Sequence, residues 1–160
     1  MAKPEKTNVM RTLDRFKVPY QDYCYVDSGV VSGVEIAKVL NKDPKRTFKT
    51  LVTEGKSKGH YVFMIPVEEE LDLKKAAAAV GEKAIEMLKS KELLPLTGYV
   101  HGGCSPIGMK KAFPTLIHET AESYETIMFS AGKIGYQVEC TLEGLRRAIR
   151  VESADVTVAG

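Results

Sequence analysis

The chain has 160 residues, of which 44% are hydrophobic and 28% charged, with a formal net charge of +2. That balance suits a soluble globular domain large enough to bury a core without disulfides or metals, so residues 1–160 are expected to form one domain. A pI of about 8.3 excludes an overtly basic nucleic-acid binder and confines any RNA contact to a few placed cations and the shape of a pocket.

Val9, Met10, Leu13 and Phe16 share one helical face, with Thr7 or Asn8 as cap and Pro19 as the stop. The tyrosine-rich Tyr20 to Val26 reads as a strand. Ser32-Gly-Val-Glu35 has the capping-box pattern and opens a second helix with Ile36, Val39 and Leu40 as its apolar face. Thr47 to Thr53 and His60 to Ile65 flank a polar, glycine-bearing turn, which predicts a hairpin closed by Pro66. Leu73, Ala76, Ala77 and Val80 recur at helical spacing before Gly81, the expected C-terminal cap. Ala84 to Met87 reads as a short strand and Lys89 to Leu94 as a helical turn. A glycine-rich stretch, Thr97 to Lys110, follows. Thr115 to His118, Tyr124 to Phe129 and Tyr136 to Cys140 read as strands, with Ser130 to Gly135 as the turn between the last two. Thr141 caps a helix through Leu142, Leu145, Ala148 and Ile149, and Val151 to Val158 reads as a last strand or a frayed tail. Strands and helices intersperse without a regular βαβ rhythm, so the expected class is α+β with a mixed or mainly antiparallel sheet.

Cys24, Cys104 and Cys140 are odd in number and form no CxxC pair, which argues against a zinc site and for a reducing, cytoplasmic setting. The leading residues through Lys6 have no apolar stretch behind them, and no run of about 18 apolar residues occurs anywhere. Neither a signal peptide nor a membrane span is expected.

Few residues stand out as chemically able. His60, His101 and His118 lie on different elements, and no Ser–His–Asp order is visible, so each reads as structural or surface unless a base role is shown; His101 abuts the glycine loop. Cys104 lies in Gly102-Gly-Cys-Ser-Pro106. A nucleophilic cysteine needs a base or a depressed pKa, and the plainer reading is a small residue filling a tight loop. The loop's glycines allow backbone N–H groups to face a phosphate, a carboxylate or an oxyanion, or else simply make a tight turn. It lacks the Lys-Ser/Thr ending of a P-loop. Lys49 sits in a strand between apolar residues and either points to solvent or stands as a cation at a pocket wall. Ser130-Ala-Gly-Lys-Ile-Gly135 is a hairpin turn that can line the same pocket.

Phe48-Lys-Thr-Leu51, Leu71-Asp-Leu-Lys-Lys75, Thr97-Gly-Tyr99, Gly102-Gly-x-Ser-Pro-x-Gly108, Lys110-Lys111 and Ser130-Ala-Gly-Lys133 occur together in this order. Each motif alone is weak. The ordered set, running from about Val9 to Val158, resembles the YbaK-type family of aminoacyl-tRNA editing proteins. The resemblance implies a mixed, mainly antiparallel, β-barrel-like sheet with flanking helices, shared with the editing domain of bacterial prolyl-tRNA synthetases. It implies a deacylase that removes cysteine from Cys-tRNA(Pro), with Cys-tRNA(Cys) as a further substrate, and with no cofactor and no metal. Prolyl-tRNA synthetase is an implied partner beside the tRNA. By the same resemblance Lys49 and the loop residues Gly102, Gly103, Ser105 and Pro106 are expected to be catalytic. Tyr25, Ser32, Thr50, Ser130 and Gln137 are expected to hold substrate. In such proteins the substrate cysteine's own thiol attacks its ester, and the protein supplies positioning and electrostatics. Ser32 stands where relatives often carry an aromatic residue, and Gln137 where they often carry aspartate; both bear on which amino acid is cleared. The readings weighed beside it are water-dependent clearance of another small amino acid, such as Ala-tRNA(Pro), and a non-catalytic module that binds tRNA or a synthetase.

Overall fold

In the computed structural model the described residues are 6–30 and 32–158. The first five residues, part of the leading stretch read for a targeting signal, lie outside them. Helix α1 (Asn8–Arg15) starts where Thr7 accepts a hydrogen bond from the Met10 amide, and it buries Val9, Met10 and Leu13. Pro19 is not its stop. The helix caps at Phe16, and Lys17 takes a left-handed conformation at φ 58°. Phe16 lies past the helical periodicity and is 42% exposed, so it is not part of the buried face. Strand β1 (Gln21–Cys24) leads to a 3₁₀ turn, and α2 (Gly33–Val39) begins at the predicted cap, Ser32. Its buried face is Ile36 with Ala37; Val39, predicted inward, is half exposed.

The predicted hairpin forms as β2 (Phe48–Gly55) and β3 (His60–Pro66), paired in register from Phe48 opposite Pro66 to Glu54 opposite His60. Then come α3 (Leu73–Val80), ending at a left-handed Gly81, β4 (Ile85–Met87) and α4 (Ser90–Thr97). Helix α4 runs three residues past the predicted turn with Pro95 inside it. The carbonyls of Leu93 and Leu94 accept from the Thr97 hydroxyl and the Gly98 amide, which closes the last turn. Strands β5 (Thr115–His118), β6 (Ile127–Ser130) and β7 (Tyr136–Cys140), helix α5 (Leu142–Ala148) and β8 (Glu152–Ala154) complete the chain.

The strands make two sheets. One is antiparallel, in the order β1-β7-β6; the other runs β4-β2-β3-β5-β8, with β5 parallel to both β3 and β8. The class is α+β and mixed as expected, but the barrel does not close. Among the described residues a single parallel bridge, Thr47 to Met128, joins the sheets. The largest apolar cluster lies between them and under α1 and α5, uniting Val9, Leu13, Phe48, Met64, Phe129 and Leu145. A second lies beneath α3, where Ala76 and Ala77 cover Phe63 and Ile65. A third sits where α4 and Cys104 cover Val52 and Val62. Each fully buried side chain of this size contributes about 1.5–3 kcal/mol of transfer free energy. The clusters therefore hold both faces of β2 and β3, the strands that carry the site.

Candidate functional site

Strand β2 is covered on one edge by β3 along its whole length, but β4 pairs only with Thr53 to Gly55. From Phe48 to Val52 the other edge has no neighbour in the five-stranded sheet. The Leu88 amide donates to the Val52 carbonyl at 3.1 Å. Antiparallel alternation points the amide and carbonyl of Thr50 to that same side. This open edge forms the floor of a cavity of about 690 Å³. Its walls come from the start of α2 (Ser32, Gly33 and Ile36), from Met87 and Leu88, from the glycine loop (His101, Gly102 and Cys104), and from Ser130 and Gln137. Ser130 and Gln137 are cross-strand partners on β6 and β7, so one sheet register delivers both side chains to one wall.

Six of the ten residues expected at the site line this cavity: Lys49, Thr50, Gly102, Ser32, Ser130 and Gln137. Four do not. Gly103 is a turn residue whose amide donates to the Val100 carbonyl, so it is engaged within the loop. Ser105 is fully buried, and its hydroxyl accepts from the Ile107 amide at 3.3 Å. Pro106 is buried beside it. Tyr25 is buried, with its amide donating to the Gly135 carbonyl at 2.7 Å. Gly102 at φ +89° does require the left-handed region, which is the glycine's contribution to the loop.

The electrostatics of the cavity are one-sided. Among the described residues Lys49 is its only lysine or arginine, and no aspartate or glutamate lines it. Burial pulls the Lys49 ammonium below the ordinary lysine range, while the charges of Glu70 and Glu69 oppose that pull. Three buried polar atoms here have no hydrogen-bond partner among the described residues: Thr50 Oγ1, Gln137 Oε1 and the Tyr25 hydroxyl. Two of them belong to cavity-lining residues. A polar atom left without a partner costs about 1–3 kcal/mol, so these are acceptors and donors still open to a bond.

The same geometry decides between the open readings of the other candidates. Burial pushes the Cys104 thiol up to about 12, so it stays protonated and inert at neutral pH. Among the described residues no group of three His, Cys, Asp or Glu side chains is placed to hold a metal ion. His101 lines the cavity. His60 pairs with Glu54 at 3.2 Å. Nδ1 of His118 accepts from the Val156 amide at 3.2 Å, and Nε2 lies 3.3 Å from the Thr157 hydroxyl; this ring, bonded at both nitrogens, fastens the C-terminal segment to β5. With Nδ1 accepting, its 4.0 Å approach to Asp155 is not an ion pair.

Sequence reasoning missed the wall made by Met87, Leu88, Ser90 and Leu93, which lie around β4 and the start of α4 and reach the site only because β4 stops short. No spacing in the sequence marks where a strand pairing ends.

The profile of the family described as "Aminoacyl-tRNA editing domain" matches residues 27–148. A protein of Enterococcus faecalis named "Putative Cys-tRNA(Pro)/Cys-tRNA(Cys) deacylase EbsC" is 46% identical over 154 residues, covering 96% of this chain and 94% of that one. A "Proline--tRNA ligase" of Thermosipho africanus is 29% identical over 77 residues, which is 48% of this chain and 14% of the ligase. In fold, the solved structure titled "Crystal structure of a putative trans-editing enzyme for prolyl tRNA synthetase" aligns at TM-score 0.82 and 22% identity, over 98% of this chain and 99% of that one. With 122 of its 160 residues inside the family profile and a curated relative matching nearly end to end, the chain belongs to the aminoacyl-tRNA editing domain family.

Proposed function

We propose that this protein is a stand-alone deacylase that removes cysteine from mischarged Cys-tRNA(Pro), and from Cys-tRNA(Cys), in the cytoplasm, with residues 1–160 acting as one editing domain. The observation that carries the reading is the cavity itself. Among the described residues it holds one desolvated lysine, no carboxylate and no ready nucleophile, together with unpartnered polar atoms on Thr50 and Gln137.

Such a site binds and polarises an ester but brings no nucleophile of its own. The substrate's cysteine supplies it. Its sulfur bonds to the ester carbonyl carbon, the carbon–oxygen bond to the terminal ribose breaks, and the thiol proton ends on the ribose oxygen. The products are a cyclic thiolactone and tRNA with a free hydroxyl. Lys49 faces the carbonyl or adenosine oxygens, and its charge counts for more in a cavity where water is scarce. With the Gly103 amide engaged inside the loop, the backbone donors fall to the cavity-lining residues Gly102 and Cys104. Thr50, Gln137, Ser130 and Ser32 hold the aminoacyl end, and Ser105 and Pro106 shape the loop rather than touch substrate. Prolyl-tRNA synthetase is the partner that fits a protein of net charge only +2.

A second reading, water-driven clearance of a small amino acid such as alanine, is favoured by one observation. Ser32 lines the cavity, with its hydroxyl accepting from the Glu35 amide and donating to the Glu35 carboxylate, so a small polar side chain stands there instead of a bulky one. Deacylation assays on Cys-, Ala- and Pro-charged tRNA(Pro), with S-methylcysteinyl-tRNA(Pro) as the decisive substrate, separate the two. Thiol attack predicts fast release of cysteine and release of S-methylcysteine no faster than the spontaneous rate. Equal release of both leaves the water mechanism. Silence on every charged tRNA leaves a binding module.

A further inference from the structure

A second concave surface, of about 400 Å³, shares two walls with the first. The stretch from Thr97 to Lys110 gives His101, Gly102 and Cys104 to the substrate cavity, and Thr97, Gly98, Tyr99, Gly108 and Lys110 to the second groove. The β6–β7 turn is divided in the same way, with Ser130 on one side and Ala131, Gly132 and Lys133 on the other. Helix α1 closes the groove through Val9, whose side chain lies against Gly132.

The groove's charge is the opposite of neutral. Lys6, Arg11, Lys110 and Lys133 line it, and among the described residues no aspartate or glutamate does. Lys6 is ion-paired to Asp14, which lies outside the lining. Arg11 donates to the Asn8 side-chain oxygen at 2.8 Å and Lys110 to the Pro95 carbonyl at 3.3 Å, both neutral acceptors; neither cation has an acidic partner among the described residues. In a chain of net charge +2, four cations converge on one concavity beside the site. Arg11 and Lys110, bonded only to neutral acceptors, keep their charge open to a ligand, and a polyanion laid across them gains that attraction while releasing its counterions.

We propose that this groove holds the phosphodiester backbone of the tRNA acceptor stem whose aminoacylated end occupies the first cavity, with Arg11 and Lys110 as its main phosphate contacts. The inference rests on the deacylase reading for its ligand, and the test keeps the two apart. A fluorescently labelled, uncharged acceptor-stem RNA hairpin is titrated into wild type and into the double variant Arg11→Ala, Lys110→Ala. Affinity is read by anisotropy across a salt series, and kcat/KM is measured on both Cys-tRNA(Pro) and cysteinyl-adenosine. The expected result is hairpin binding weaker by at least tenfold, a log–log salt slope shallower by about two, a raised KM on tRNA, and cysteinyl-adenosine turnover within about twofold of wild type. Lys110→Arg, which keeps the charge, should restore most of the binding in a background with Arg11 intact. Unchanged hairpin affinity overturns the proposal, as does an equal loss on tRNA and on cysteinyl-adenosine. Inorganic phosphate that displaces the hairpin at matched low ionic strength, with no change in salt slope between wild type and variant, marks a small-anion site and also overturns it. Hairpin binding that behaves as expected while no charged substrate is cleared sinks the deacylase reading alone.

Discussion

Lys49 and Gln137 face one cavity, and each is held there at a cost. The lysine loses hydration, which pulls its pKa down. Because the charged form is the one that polarises an oxygen, activity should hold below that lowered pKa and fall above it. The alkaline limb of kcat should therefore begin at a lower pH than an ordinary lysine, near 10.4, would set. Lys49→Ala should lose about 10²–10³ in kcat and lose the alkaline limb with it; a variant that clears cysteine at the wild-type rate refutes the role. Gln137 is 6% exposed and its Oε1 has no partner, so the folded chain carries the desolvation of an unanswered acceptor. Gln137→Leu removes that cost. It should leave thermal stability equal or higher by up to about 1–3 kcal/mol while raising KM for the charged tRNA. A loss of stability with KM unmoved would make the residue structural. Lys49 announced itself in the sequence as a charge inside an apolar strand and Gln137 only through the family resemblance; the isolation of its Oε1 appears only once β6 and β1 flank it.

At the level of elements the glycine loop was legible and its use was not. Its Gly-Gly and Ser-Pro steps mark a constrained turn, but which amides face the cavity depends on the β6–β7 turn packed behind it. A Cβ on Gly103 would stand 3.0 Å from the Ile134 amide nitrogen and 3.4 Å from its Cγ1. Backbone cannot swing aside as a side chain can, so Gly103→Ala should shift the loop by a few tenths of an ångström. Since catalytic positioning tolerates little displacement, kcat should fall about tenfold or more with only a small change in melting temperature. Unchanged kcat would separate the loop's position from the chemistry. The same dependence on distant packing explains the two helix faces misread from periodicity. Phe16 and Val39 continue an apolar pattern, yet Lys17 turns the chain at one helix end and Ala37, not Val39, meets the core at the other.

At the scale of the molecule, one backbone bridge and one polar cluster tie the two sheets together. Glu139 on β7 accepts from the Tyr23 hydroxyl at 2.6 Å and the Thr126 hydroxyl at 2.5 Å. It also pairs with Arg46, just ahead of β2, at 3.3 Å and with Lys42 at 3.4 Å. These partners lie as many as 116 positions away in sequence, which is why no motif revealed them. The cluster reaches the site because Arg46 precedes β2, the strand that carries Lys49 and Thr50. Burial alone would raise the carboxyl's pKa, but hydrogen bonds from Thr126 and Tyr23 and the charge of Lys42 outweigh it and hold the pKa below the ordinary carboxylate range. A depressed folded pKa means that the unfolded chain takes up its proton first. The stabilisation is therefore fully present above the ordinary carboxylate pKa and drains away as pH falls from there through the folded value. Glu139→Gln keeps the shape and an acceptor for Tyr23 but leaves Arg46 and Lys42 without their counter-charge. Denaturant unfolding should show a loss of about 1–3 kcal/mol at pH 7, narrowing as pH falls below 4 until the two stability curves approach each other. Curves that stay parallel across the acid limb would remove Glu139 from the tie between the sheets. A variant that loses stability only at low pH would reverse the sign.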